Sequence, residues 1–273
     1  MKSLSFDGLV KFYDETRVFD ADCFTAALSF LVGKFPPQKF SSVLEPGIGT
    51  GRIAIPLAQR GYQVVGVDIS EEMLAMLKTR LTDLNLSLPI SFQEADVTSL
   101  PLASATFDAV VTTHLFYFIR NWKEAIAEIL RVVRDGGPTI LIHTGMGMEI
   151  PLLNQRYKEL CAEQGCPINS VGIKSTREVV DYCEHIGCRV EQVRNRWQWT
   201  AHIRLKDALG YMKARAYSFT TFAPNTVHSV AIERLACELQ QQYEDLSTEI
   251  EVPNQIYIVV VRQAGTEAVE LDM

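Results

Sequence analysis

Val43-Leu44-Glu45-Pro46-Gly47-Ile48-Gly49-Thr50-Gly51 is an apolar run that ends in an acid and continues as three alternating glycines. The apolar half reads as a strand. The glycine half reads as a turn entering a helix, because glycine has no Cβ to clash with a ligand and takes positive φ without strain. Strand, glycine turn and helix together form a nucleotide-cofactor site. Glu45 narrows the kind of cofactor. An acid just before the first glycine would repel a pyrophosphate, the group that dinucleotide turns hold at the helix N-terminus, and it suits a cationic ligand better.

Outward from this turn the chain repeats the pattern of an apolar run closed by an acid. Gln63-Val64-Val65-Gly66-Val67-Asp68 ends in Asp68, about 20 residues beyond the glycines, the interval expected of a ribose-binding carboxylate one βα unit later. Ile69-Ser70-Glu71-Glu72-Met73-Leu74 follows, with Ser70 as N-cap and Met73, Leu74 and Leu77 on one helical face. Ile90-Ser91-Phe92-Gln93-Glu94-Ala95-Asp96-Val97 is a third run, and Phe107-Asp108-Ala109-Val110-Val111-Thr112-Thr113 a fourth, leading into His114-Leu115-Phe116-Tyr117-Phe118. A helix from Trp122 to Arg134 and the turn Asp135-Gly136-Gly137-Pro138 then lead into a fifth strand.

In this order the motifs resemble those of class I S-adenosylmethionine (SAM)-dependent methyltransferases, of a small-molecule type similar to the ubiquinone/menaquinone-biosynthesis enzymes. The departures are small: Ala95 stands where glycine is more usual, and Asp135 where proline is common. The resemblance implies an α/β fold, a Rossmann-like seven-stranded, mostly parallel sheet with helices on both faces, a last antiparallel strand near 253–261, and a helical lid. It implies SAM as cofactor, S-adenosylhomocysteine (SAH) as product, and a small-molecule methyl acceptor. Carried over position by position, the cofactor-binding residues are Glu45, Gly47, Gly49, Gly51, Asp68, Ile69, Met73, Asp96, Val97 and His114. Tyr13-Asp14 resembles the family's N-terminal Tyr-Asp, whose tyrosine closes over the methionine part of the cofactor. Thr112-Thr113-His114-Leu115 lacks the Asp/Asn-Pro-Pro-aromatic element of enzymes acting on nucleic-acid bases.

Strands alternating with helices agree with a parallel, helix-covered sheet. The segments beyond a minimal cofactor domain divide the chain into an N-terminal helical cap (1–38), a SAM-binding core (39–145), a lid insertion (146–174), and the rest of the α/β core (175–263). The last carries a helical lid insertion at about 203–250, expected as helices near 205–217 and 226–244. Ligands of open α/β sheets sit beyond the strands' carboxyl ends. Methyl transfer to a hydroxyl or thiol releases a proton, and histidine is the natural base near neutral pH. His114 follows the fourth strand and His143 ends the fifth, so these two are the candidate catalytic groups, each with packing as its other reading. His202 falls at or just past the sixth strand, which is expected from Cys188 to about Trp199, and His185 and His228 read as surface or packing residues of helices.

The chain has 273 residues, 47% of them hydrophobic, enough for one elaborated domain. No run approaches the roughly 18 apolar residues of a membrane span, and Met1-Lys2-Ser3-Leu4-Ser5-Phe6-Asp7 lacks a signal-peptide core, so a cytoplasmic location is expected. A net charge of −7 opposes binding to nucleic acid. Cys23, Cys161, Cys166, Cys183, Cys188 and Cys237 contain no C-x-x-C pair, so reduced thiols and no metal site are expected. Nothing in the sequence sets an oligomeric state, and the tail from Ala264 reads as frayed. Two alternatives stay open: a SAM-binding protein without catalysis, and an NAD(P)-binding oxidoreductase, since Gly49-Thr50-Gly51-Arg52-Ile53-Ala54 satisfies G-x-G-x-x-A.

Overall fold

A computed structural model of the chain describes residues 10–85, 87–144, 147 and 149–264. The expectations placed on the first nine residues, on 146 and 148, and on the tail beyond 264 lie outside the described residues. Helices α1 (Val10–Thr16) and α2 (Ala21–Lys34) precede β1 (Ser42–Pro46), α3 (Ala54–Ala58), β2 (Gln63–Asp68), α4 (Glu71–Asp83) and β3 (Ile90–Glu94). Next come β4 (Ala109–Thr113), a 3-10 turn (Leu115–Phe118), α5 (Trp122–Val132) and β5 (Thr139–Thr144). The chain continues through α6 (Pro151–Glu163), α7 (Thr176–His185), β6 (Arg189–Arg204), α8 (Leu205–Lys213), a second 3-10 turn (Ser218–Thr221), α9 (Asn225–Gln242) and β7 (Glu249–Arg262).

The strands form one sheet in the order β3-β2-β1-β4-β5-β7-β6. Pairs from β3 through β5 are parallel, whereas β7 runs antiparallel to both β5 and β6. The order reverses between β1 and β4, which opens a crevice at their carboxyl ends where ligands of such sheets bind. Val43 and Leu44 are both buried, although adjacent strand residues face opposite sides, so helices cover both faces of β1. One layer packs α2, α3 and α4 on the sheet, and the other packs α5 and α7 through residues such as Ile126, Ile129, Val179 and Val180.

Local chemistry sets the element ends. Ser70 Oγ accepts the Met73 N–H at the start of α4, and Ser175 with Glu178 forms a capping box on α7, which Gly187 at φ +85 follows. The helix expected near 205–217 stops earlier, at Lys213, because Arg215 turns left-handed at φ +57. β6 runs five residues beyond the expected end at Trp199, to Arg204, and a bulge between Val193 and Trp197, with Asn195 at φ +60, re-registers it on β7. α6, α8 and α9 bury a third apolar cluster of their own, with Tyr157, Leu160, Met212, Tyr217 and Leu235.

Candidate functional site

At the crevice the chain builds one cavity from four strand ends and α1. The glycine turn after β1 contributes Gly47 and Gly49; β2 and its exit contribute Val67, Asp68, Ile69 and Met73; the loop after β3 contributes Ala95, Asp96 and Val97; the end of β4 contributes Thr113, Leu115, Phe118 and Ile119. Tyr13, on α1, closes one side. Of the residues named from sequence, eight therefore line this cavity: Tyr13, Gly47, Gly49, Asp68, Ile69, Met73, Asp96 and Val97. Glu45, Gly51, His114 and His143 do not line it.

The turn is held by its own amides. Gly47 and Ile48 donate to the Val67 carbonyl at 2.7 and 3.1 Å, and Gly49 donates to Asp68 Oδ2 at 2.8 Å. Asp68 Oδ1 accepts the Ser70 N–H at 3.0 Å, so this carboxylate is fixed by backbone at both oxygens. Asp96 is held at one oxygen, its Oδ1 accepting the N–H and hydroxyl of Thr98 at 2.9 and 2.8 Å. Gly49, at φ +52, would direct a Cβ into open space, whereas a Cβ on Gly51 would strike Leu77 Cδ1 at 2.4 Å. Gly49 leaves room for a ligand; Gly51 seats the turn on α4.

Glu45 lies beneath the turn, 3% exposed. Its Oε2 is buried with no hydrogen-bond partner. Burial, and secondarily the charge of Asp68, holds its carboxyl well above the usual carboxylate range. A cationic group placed beside it would reverse that shift.

A feature the motifs did not announce ties α1 across the turn. Asp14 accepts the Thr50 hydroxyl at 2.9 Å and pairs with Arg80 of α4, whose second nitrogen donates to the Thr50 carbonyl at 3.1 Å. Arg52 adds an ion pair to Asp14 at 3.7 Å and stacks on Phe19 at 4.0 Å. Tyr13, next to Asp14, is thereby pinned over the cavity.

The two histidines sit side by side at the ends of β4 and β5, ring centroids 5.9 Å apart. His114 is left-handed at φ +55, a conformation that costs a non-glycine residue of order 1–3 kcal/mol and is found mostly where function requires it. Its Nε2 accepts the Thr144 N–H at 3.3 Å and contacts the Thr144 hydroxyl at 2.7 Å, which leaves the ring proton on Nδ1. Burial, then the nearby charges of Arg17 and Arg52, push its pKa down to about 3. His143 stacks on Tyr257 at 4.7 Å, meets the Thr176 hydroxyl through Nδ1 at 3.2 Å, and buries an unpartnered Nε2. Burial holds it well below the usual histidine range, and His114 and Arg194 add to the effect. Of the other three, His228 is buried with Nδ1 on the Tyr157 hydroxyl at 2.7 Å, His202 lies within β6 facing Glu249, and His185 ends α7.

The geometry defines a Rossmann-like α/β domain with a cofactor cavity at its switch point. Residues 44–141 match the family described as methyltransferase domain. A demethylmenaquinone methyltransferase of Renibacterium salmoninarum is 37% identical over 110 residues, 40% of this chain and 43% of that protein. The chain spans about half the length, or less, of the curated relatives it matches. Among solved structures, the YcgJ protein of Bacillus subtilis superposes with a TM-score of 0.58 at 17% identity, over 88% of this chain and all of that one (100%). Phosphoethanolamine N-methyltransferase 2 of Haemonchus contortus in complex with SAM superposes at 0.50 with 18% identity, over 93% of this chain and 60% of that one.

SAM is the cofactor of this family, and the residues present fit it. Asp68 and Asp96 are carboxylates on the cavity wall, the first suited to ribose hydroxyls and the second to the adenine edge. Gly49 leaves open the space a Cβ would take, and the unpartnered Glu45 oxygen suits an ammonium or sulfonium charge. A dinucleotide fits poorly. The amides of Gly47, Ile48, Gly49 and Gly51 already donate within the protein, so these four are not offered to a pyrophosphate.

The sequence reading missed Val67, Ala95, Thr113, Leu115, Phe118 and Ile119 on the wall and Arg80 in the tie. The wall residues were legible in principle, since each adjoins a strand end already assigned to the site. Arg80 was not, because nothing in a helix sequence marks which exposed cation reaches back to another element.

Proposed function

We propose that the protein is a SAM-dependent methyltransferase acting on a small-molecule acceptor in the cytosol. The observation that carries the reading is the convergence on one cavity of the glycine turn, Asp68 and Asp96, within a stretch that matches the methyltransferase domain. Supporting the location, no helix among the described residues is long and apolar enough to cross a membrane. The net charge of −7 supports an acceptor other than nucleic acid.

When bound, SAM supplies an electrophilic methyl group on a sulfonium. Held by Asp68, Asp96 and Tyr13, it would give that methyl to the acceptor's nucleophilic atom, the carbon–sulfur bonding pair staying on sulfur as SAH and any acceptor proton leaving. The protein's own task is to position and enclose. Asp68 and Asp96 fix the nucleoside, Tyr13 covers the methionine part, and the helical layer of α6, α8 and α9 serves as the lid, with α1 and α2 as the cap. His114 and His143 stand at the ends of β4 and β5 as neutral imidazoles. The Thr144 bonds leave the His114 proton on Nδ1, and neither ring lines the cofactor cavity, which favours the packing reading of both over that of a general base.

Calorimetric titration with SAM, SAH and NADH, followed by transfer of isotopically labelled methyl from SAM to a small-molecule extract, tests the reading. Binding of both adenosyl ligands and labelled product is expected. Binding without transfer supports the non-catalytic alternative, and NADH binding alone overturns both.

A further inference from the structure

Between α1 and α6 lies a buried ion pair that the steps above do not use. Arg17 and Glu149, with side chains only 19% and 14% exposed, face each other at 3.4 Å. That is long for a charge-assisted N–H···O bond, which is typically about 2.7–2.9 Å. A buried pair offsets its desolvation only when its hydrogen bonds are complete, and among the described residues each charge has one further hydrogen bond. Arg17 donates to the Thr16 hydroxyl at 3.1 Å, and Glu149 accepts from Asn154 Nδ2 at 2.6 Å. Asn154 is itself buried, with its Oδ1 unpartnered.

The pair separates two spaces. On one side the Arg17 guanidinium lies over Tyr13, which lines the cofactor cavity, at 5.9 Å, and over Tyr217 at 5.7 Å. On the other, Glu149 and Asn154 line an open groove along α6, whose wall carries the apolar Phe219 and Ile168 and the charged Lys158 and Glu159. Phe219 stacks on Tyr217 at 5.8 Å and 7°, so the aromatic wall runs from the groove to the arginine.

We propose that this groove and the Arg17–Glu149 pair beside it bind the methyl acceptor, and that the acceptor is a neutral molecule with an apolar, flat body bearing a hydroxyl or carboxamide. This rests on the methyltransferase reading above. The charge pattern sets the class. A carboxylate would meet Glu149 and Glu159 and an ammonium would meet Arg17 and Lys158, each with repulsion, whereas a neutral group that both donates and accepts bonds both members of the pair. The apolar body lies on Phe219 and Ile168, and the group at the pair directs the reacting edge past Tyr13 toward the cofactor.

The test uses the full chain saturated with SAH, with phenol, benzamide, toluene, benzoate and benzylamine as probes in ligand-observed NMR and calorimetry. Phenol and benzamide should bind at millimolar concentration, at least five-fold tighter than the other three. Glu149→Gln and Arg17→Met should weaken phenol at least five-fold while leaving SAH affinity within two-fold. Phe219→Leu should weaken phenol without touching the pair, which keeps the test valid if a charge variant fails to fold. The inference is overturned by phenol binding no better than toluene, by phenol binding that Glu149→Gln leaves unchanged, or by loss of SAH affinity in that variant, which would give the pair to the cofactor. Failure of the wild-type protein to bind SAH would instead sink the methyltransferase reading, so the two failures are distinguishable.

Discussion

Replacing Asp14 by alanine should open the cofactor site without disturbing the sheet. The side chain holds α1 on the glycine turn through the Thr50 hydroxyl at 2.9 Å, the guanidinium of Arg80 and the longer ion pair to Arg52 at 3.7 Å. A hydrogen bond to a charged group contributes roughly 1.5–3 kcal/mol, but Asp14 is 37% exposed and Arg80 30%, so solvent screening reduces the total to about 1–2 kcal/mol. Only with α1 closed does Tyr13 line the cavity, so this closing energy couples to ligand affinity, and the SAH Kd should rise by about 5- to 30-fold. Asp14→Asn, which keeps the Thr50 contact and loses the charge, should fall between. Calorimetry gives the affinity, and hydrogen exchange of residues 10–17 reports the opening. Faster exchange there with SAH affinity unchanged would show that α1 is not part of the cofactor site. Unchanged exchange would show that the tie does not hold it.

Glu45 should make cofactor affinity depend on pH. Its carboxyl is held above the ordinary range in the free protein and a cationic ligand favours the charged form, so binding releases a proton and SAM affinity rises as pH rises through that pKa; identical pH profiles for wild type and Glu45→Gln would remove the residue from the site. Gly49→Val should fold yet lose SAH binding, because at φ +52 its side chain is strained and enters the space the cofactor takes; normal binding would make the turn a mere bend. The histidines should make stability, rather than turnover, pH-sensitive. His114 moves from an ordinary 6.5 to about 3, so the unfolded chain binds the proton first, and stability is lost as pH falls from about 6.5 toward 3. A Tm that falls less steeply over this window in His114→Asn than in wild type is the expected result, and parallel curves would contradict it.

The parallel half of the sheet was legible because each strand carries its own stop signal. A buried run such as Val43-Leu44 or Val64-Val65 needs apolar residues on both faces, and its end needs a glycine turn or a fixed acid, so composition and chemistry coincide within a few residues. The antiparallel half was less legible. β6 extends past Trp199 because the ladder to β7 continues as far as Arg204 opposite Glu249, and alternating exposed residues such as Gln198 and His202 give no local mark of where pairing stops. The early end of α8 was hidden for a related reason. Arg215 turns left-handed while its side chain reaches Asn225 at 3.1 Å and the carbonyl of Thr220, contacts made across a loop.

The same distinction decides what was visible of the site. Residues that act through a backbone turn, such as Gly49, or from a strand end, such as Asp68, must have their own neighbours in sequence, so a motif exists to be found. Residues that act by closing a gap between elements have no such neighbours. Asp14, Thr50 and Arg80 come from α1, the turn and α4, and Arg17, Glu149 and Asn154 from two helices and the loop between; each set is meaningful only once the fold has brought it together. Cofactor binding uses mostly the first kind and so could be read early. Enclosure and acceptor choice use the second kind, and any reading of the acceptor has to begin from charges that are buried between elements.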